Sequence, residues 1–197
     1  MKMASDSSVM SVDSLEITGG HYKFAAVDSG NYIVKAILLS GSVNYGKYLP
    51  TYYGETLHWR FSTMATVPFT AAQYYNIHLL AAVSNLTGAD NINGQVTDST
   101  GNAIAGIPVV LVYKYQYQPV QVAYTDANGN YAFNGLQMDT YTLWVEIPGK
   151  RCEFVDITLT PDSAVRKSVR YDFVINGNRI KATNATTGVA SVKTKEV

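Results

Sequence analysis

The chain of 197 residues is poor in several things, and each scarcity excludes something. It has one cysteine, Cys152, so an internal disulfide framework and a multi-cysteine zinc site are both excluded. Charged residues are only 15% of the chain, against about 25% in an ordinary soluble domain. Fifteen Lys+Arg balance fifteen Asp+Glu, giving zero formal net charge. Binding nucleic acid needs a basic surface that displaces counterions from phosphates, so no nucleic-acid partner is expected. No run of roughly eighteen apolar residues occurs, so no membrane span is expected. The opening MKMASDSSVMSVDSLEI lacks the apolar stretch of a secretory leader. Either the chain is cytoplasmic, or it is a piece of a longer exported protein. No segment keeps a helical apolar stripe for three turns, and the best exception is a single turn around Thr70 to Gln73.

What is abundant points to strands. Hydrophobic residues reach 47%, enough for a packed core, and there are 15 tyrosines. Tyr, Val and Thr fit pleated, half-buried surfaces, while Gly and Asn fit tight turns. The expected fold class is all-β.

A repeat sets the domain count. HYKFAAVDSGNYIVKAI begins at His21 and NYAFNGLQMDTYTLWVEI begins at Asn130. Tyr22 aligns with Tyr131, Phe24 with Phe133, Val27 with Leu136, Tyr32 with Tyr141, Val34 with Leu143 and Ala36 with Val145. The offset is constant at 109 residues (131 less 22). Matched apolar positions mostly two apart describe one face of a strand, a turn, and one face of a second strand. The reading is two copies of one domain of ordinary size.

In the second copy the expected strands are Ile92 to Thr97, Ile107 to Tyr117, Val120 to Thr125, Tyr131 to Phe133, Tyr141 to Ile147, Phe154 to Leu159 and Ser168 to Ile175. Gln118-Pro119 breaks one run, because proline has no N–H to give a ladder. Asn128-Gly129 suits a type I′ hairpin turn. About seven short strands separated by turns predict an antiparallel sandwich. The first copy is incomplete: about twenty residues precede Tyr22, where the second has about forty between Ile92 and Tyr131. A sandwich short of two strands exposes its edges. A longer tandem array, or a strand-complemented dimer, would cover them. The expected organisation is a partial sandwich over 1–88, a sandwich over 89–178, and a polar linker or tail over 179–197.

The segments GQVTDSTGNAIAGIPVVLVY, TDANGNYAFNGL and YTLWVEIPG resemble the carboxypeptidase-regulatory-like family, whose fold is a transthyretin-like (prealbumin-like) sandwich related to Cna-B modules. YLPTYYGETLHW, from Tyr48 to Trp59, looks like a signature of secreted multidomain proteins of Bacteroidota. The resemblance implies an extracellular or cell-surface location, other domains of a longer surface protein as partners, and no catalysis of its own. It also raises the Lys–Asn isopeptide crosslink of Cna-B modules. Here the first strand of the second copy has no lysine, and Glu146 follows the expected acid position, Val145, by one residue and so faces the other side. No crosslink is expected there.

Catalytic signals are weak. His21, His58 and His78 are not at zinc-ligand spacing, no Gly-x-Ser-x-Gly elbow appears, and no glycine-rich loop leads into a helix. The expectation is not an enzyme and no cofactor, with calcium as a weak candidate. Asp126, Asn128 and Asn130 offer oxygens at alternate positions, but no terminal bidentate acid follows and a type I′ hairpin turn is the better explanation. The sharper candidate is the aromatic cluster Tyr45, Tyr48, Tyr52, Tyr53 and Trp59, with Glu55, His58 and Arg60 among them; Tyr48, Tyr52, Tyr53, His58, Trp59 and Arg60 are the candidate ligand residues. Flat rings beside polar groups suit a glycan or protein ligand, and the alternative is a packed loop covering a sandwich edge. Asp13-Ser14-Leu15, Asp98-Ser99-Thr100 and Asp162-Ser163-Ala164 resemble O-glycosylation tripeptides, and Asp-Ser is also an ordinary turn pair. Cys152 reads as a half-buried hydrophobe rather than a nucleophile.

Overall fold

The computed structural model describes residues 1–6, 8–68, 74–160, 168–186 and 192–196. The strands of the C-terminal half are β7 (Asp90–Asp98), β8 (Pro108–Tyr113), β9 (Pro119–Tyr124), β10 (Asn130–Leu136), β11 (Thr140–Val145), β12 (Arg151–Thr158), β13 (Ser168–Asn176), β14 (Arg179–Thr186) and β15 (Val192–Glu196). Alternation makes them. Ile92, Gly94 and Val96 are buried on β7, and Tyr131 and Phe133 on β10, with more exposed neighbours between. Proline opens β9, where a missing N–H is tolerated.

Two layers result. One has the order β10-β7-β13-β14 and the other β9-β8-β11-β12 with β15 beside β12. They join where the first residues of β12 pair with β14, Arg151 opposite Arg179 and Cys152 opposite Ile180. Side chains of both layers form one core, including Ile92, Leu111, Phe133, Leu143, Ile157 and Phe173. The sandwich is not purely antiparallel as expected. β13 runs parallel to β7; the chain visits the second layer twice, through β8–β9 and then β11–β12, and β10 returns to the first layer antiparallel to β7 in between. The two strands approach closely at Gly94, where a Cβ would sit 1.6 Å from the Tyr171 carbonyl oxygen. The Tyr131 hydroxyl donates to that same carbonyl at 2.5 Å.

Residues 179–197 were expected as a polar linker or tail. Instead β14 pairs along β13 and buries Ile180 in the core, and β15 pairs along β12. Ile180 and Ala182 supply the inward period-two face that the polar composition hides.

The N-terminal part is built differently. Its strands are β1 (Lys2–Met3), β2 (Val9–Met10), β3 (Gly30–Tyr32), β4 (Lys35–Ala36), β5 (Thr51–Tyr52) and β6 (Ala65–Val67). They form a sheet of order β2-β1-β3-β6 and a separate β4-β5 pair. Its own core is Ile33, Tyr52 and Trp59, with Met1, Met3 and Val9 packed against it. Tyr22 and Phe24 lie in no strand and are half-buried, unlike Tyr131 and Phe133, which are buried in β10. The Tyr22 hydroxyl donates to the Tyr75 carbonyl instead of facing a sandwich core. The turn expected around Thr70 to Gln73 lies outside the described residues.

Candidate functional site

β8 and β11 are buried at consecutive positions, Val109 to Val112 and Tyr141 to Val145, all apolar or aromatic except Thr142. One face of these strands meets the other layer. The second face is covered by residues 48–61, whose Leu49 and Leu57 join the main core. The chain reaches this face through the β4-β5 pair, in which Lys35 stands opposite Tyr52. A 3₁₀ turn at Trp59–Phe61 then places Trp59 inward.

The centre of this contact is Glu146, just after β11. Its Oε1 accepts the Trp59 backbone N–H at 2.9 Å, and its Oε2 accepts the Trp144 indole N–H at 2.8 Å. His58 Nδ1 lies 2.6 Å from the same Oε2. His58 and Glu146 are only 3% and 2% exposed, so no substrate in solution reaches the pair. The Trp59 indole N–H adds a bond to the Lys150 carbonyl at 3.1 Å. Trp144 stacks on Phe154 with ring centroids 4.8 Å apart, and the His58 ring meets Phe154 edge-on at 5.1 Å.

The Tyr52 hydroxyl is enclosed beside the Glu146 carboxylate. Burial pushes its pKa far up, and the Glu146 charge pushes in the same direction. The Lys35 ammonium sits 5.0 Å from the centre of the Tyr52 ring, a cation–π distance. Burial lowers the pKa of Lys35, and the Glu146 carboxylate opposes that shift. A buried carboxylate is costly unless it is hydrogen-bonded and charge-compensated. Here three donor-bearing groups and a nearby lysine satisfy it, and the arrangement holds two pieces of chain together.

Of the expected aromatic surface, Tyr52, His58 and Trp59 are therefore interior, and Tyr53 is half-buried. Tyr48 and Arg60 remain exposed. The Tyr52 and Trp59 rings pack inward with Ile33. Sequence reading missed Glu146, Trp144 and Lys35 as members of this centre. The available signal was the unbroken apolar run in β8, nearly repeated in β11 where Thr142 alone interrupts it, which marks strands covered on both faces.

The weak calcium candidate is a turn. Asp126 Oδ1 accepts the N–H groups of Asn128 and Asn130, both at 2.8 Å, and the Gly129 N–H returns to the Asp126 carbonyl at 2.9 Å. Only Gly129 takes a positive φ, +73°, so the hairpin is a type I turn with a left-handed glycine rather than the expected type I′. Asp98 does the same work at the Asp98–Asn102 turn, accepting from Thr100 and Asn102. Among the described residues no group of three His, Cys, Asp or Glu converges as a cation site. His78 pairs with Glu55 at 2.6 Å on the surface, away from His58. Ser14 and Ser99 are exposed, while Asp162-Ser163-Ala164 lies outside the described residues. Cys152 is buried; burial first raises its pKa, though the Val145 N–H, 3.3 Å from the sulfur, partly opposes this. An uncharged enclosed thiol is a poor nucleophile. Among the described residues no helix is long and apolar enough to cross a membrane.

No curated protein matches the chain. Three solved structures share limited similarity with it. The dioxygenase domain of a dioxygenase–carbohydrate-binding fusion from Streptomyces sp. SirexAA-E is 13% identical over 52% of this chain and 81% of its own, with a TM-score of 0.31. A Streptococcal ancillary pilin is 15% identical over 78% of this chain and 46% of its own, with a TM-score of 0.35. The major pilin subunit of Bacillus cereus is 25% identical over 46% of this chain and 32% of its own, with a TM-score of 0.27. The family model of the carboxypeptidase regulatory-like domain matches residues 91–174, so the segment running from β7 into β13 is similar to that family.

Proposed function

We propose that this chain is a non-catalytic structural segment of a longer extracellular or cell-surface bacterial protein, in which residues 1–88 and the sandwich act as one braced spacer. The observation that carries the reading is the buried Glu146 centre. It ties Trp59 and His58 of the N-terminal part to the end of β11 while Leu49 and Leu57 enter the sandwich core. A spacer holds other domains at a set distance, and its usefulness depends on resisting bending at internal joints. The family similarity of residues 91–174 supports a module that serves others rather than one that turns over a substrate.

The test is to pull the chain by its two ends in a force spectrometer. A single cooperative rupture that releases both parts together is expected. Early release of the N-terminal part at low force overturns the braced spacer. For the location, antibodies against the chain should label intact cells of the source bacterium, and labelling only after lysis overturns the surface assignment.

A further inference from the structure

A second feature lies on the solvent side of the brace. Residues 44–49 are pinned from several directions. Leu49 N–H donates to the Leu80 carbonyl and Ala82 N–H donates to the Lys47 carbonyl, both at 2.8 Å, and Tyr45 N–H donates to the Ser42 carbonyl at 3.0 Å. This fixes Tyr45 and Tyr48 opposite the part of β9 that carries Gln121 and Tyr124. Between them runs an open groove of about 180 Å³, with Leu38 and Pro50 also in its lining. Tyr45, Tyr48 and Tyr124 are 46%, 40% and 42% exposed, so their rings are partly packed and partly turned to water.

We propose that this groove binds a neutral saccharide, one sugar ring resting on the tyrosine faces while the phenol hydroxyls and the Gln121 carboxamide bond its hydroxyl groups. Among the described residues no lining side chain carries a charge, so none of them favours a phosphate, a carboxylate or a cation. An oily ligand would leave the amide and three phenols unpaired. A sugar has an apolar ring face and a polar rim, and tyrosine offers the same two surfaces. The volume is below the roughly 300 Å³ at which enclosed small-molecule pockets begin, which suits a ring lying in a groove rather than a swallowed ligand. The pinned backbone means little ordering is left to be done on binding. Burial raises the Tyr124 pKa and the nearby Tyr45 phenol adds to the rise, so Tyr124 remains a neutral donor and acceptor. Of the aromatic cluster expected from the sequence, Tyr45 and Tyr48 line this site, and the distant Tyr124 completes it.

The test is affinity electrophoresis of the whole chain through gels containing soluble mixed-linkage glucan, xylan or galactomannan. Retardation by at least one is expected. Tyr45→Ala and Tyr124→Ala should each weaken it by about tenfold, the scale of removing a central aromatic anchor. Tyr115→Ala, at a ring 73% exposed but outside the groove, should leave it unchanged. Unaltered mobility with all three polysaccharides overturns the proposal. So does retardation that survives both groove substitutions or falls equally with Tyr115→Ala, as general surface stickiness or a protein-binding role would give. Should either groove variant melt at a lower temperature than the parent, Gln121→Ala carries the same comparison.

Discussion

The two parts of this molecule bury side chains by different means. From Asp90 onward, strands of five to nine residues pair along their length and share a core whose largest members have no exposure. Before Asp90 no strand among the described residues exceeds three residues, and the local core is Ile33, Tyr52 and Trp59. Three buried side chains cannot offset the ordering of so many residues, since fixing each backbone costs roughly 1–2 kcal/mol. The N-terminal part stands because it leans on the sandwich. It lends the outer face of β8 and β11 a cover, and it receives Glu146 in return. The lesson is one of dependence: one part is a fold, the other a coat shaped to it.

That dependence can be broken from either side. Phe133→Ala empties a fully buried site in the sandwich and should cost about 4 kcal/mol. Because the coat has no independent core of consequence, both parts should then be lost in one urea transition. A coat that persists after the sandwich unfolds would refute the comparison.

Glu146→Ala acts at the joint. It leaves the Trp59 N–H, the Trp144 indole N–H and His58 without their acceptor and should cost about 3 kcal/mol, the scale of orphaning a buried polar partner. The loss should be uneven. Trypsin should cut after Lys23, Lys35 and Lys47 while the sandwich stays intact, and equal sensitivity of both parts would show that the joint does not divide them.

The smallest effect belongs to the turns. Thr100 and Asn102 hydrogen bonds, led by the Thr100 hydroxyl, hold Asp98 far below its ordinary value of 3.8, and Asn130 and Asn128 lower Asp126 in the same way. A carboxyl whose folded pKa lies below its unfolded value contributes stability that is complete above the unfolded value and is lost as pH falls through the folded one. Asp98→Ala should therefore lower the melting temperature at neutral pH, and calorimetry should show the gap from the parent closing as pH drops below 3.8. A gap that is constant with pH would mean the carboxylate is not the turn's fastener.

The same division explains what could be read from residues alone. Seven of the nine strands from Asp90 onward were visible, since alternation and turn residues are local. Ile92 to Thr97 became Asp90–Asp98, and Ser168 to Ile175 became Ser168–Asn176. Ile107 to Tyr117 was too long, because Tyr117 takes a positive φ and the strand ends at Tyr113. β14 and β15 were not visible: their sequences are mostly polar, and the inward pair Ile180 and Ala182 on β14 is too short to stand out as a pattern. The fate of Trp59 and His58 depends on an acid 87 and 88 residues away, and no local pattern announces such a partner. The 109-residue offset is real in the letters, but Tyr22 and Tyr131 sit in unlike surroundings.

Cys152 gives the sandwich a built-in timekeeper. Its sulfur lies at the seam where β12 meets β14, shut away from water and uncharged. A thiol-seeking dye added to the native protein must wait for that seam to part, so the rate of colour development counts openings of the layers one molecule at a time.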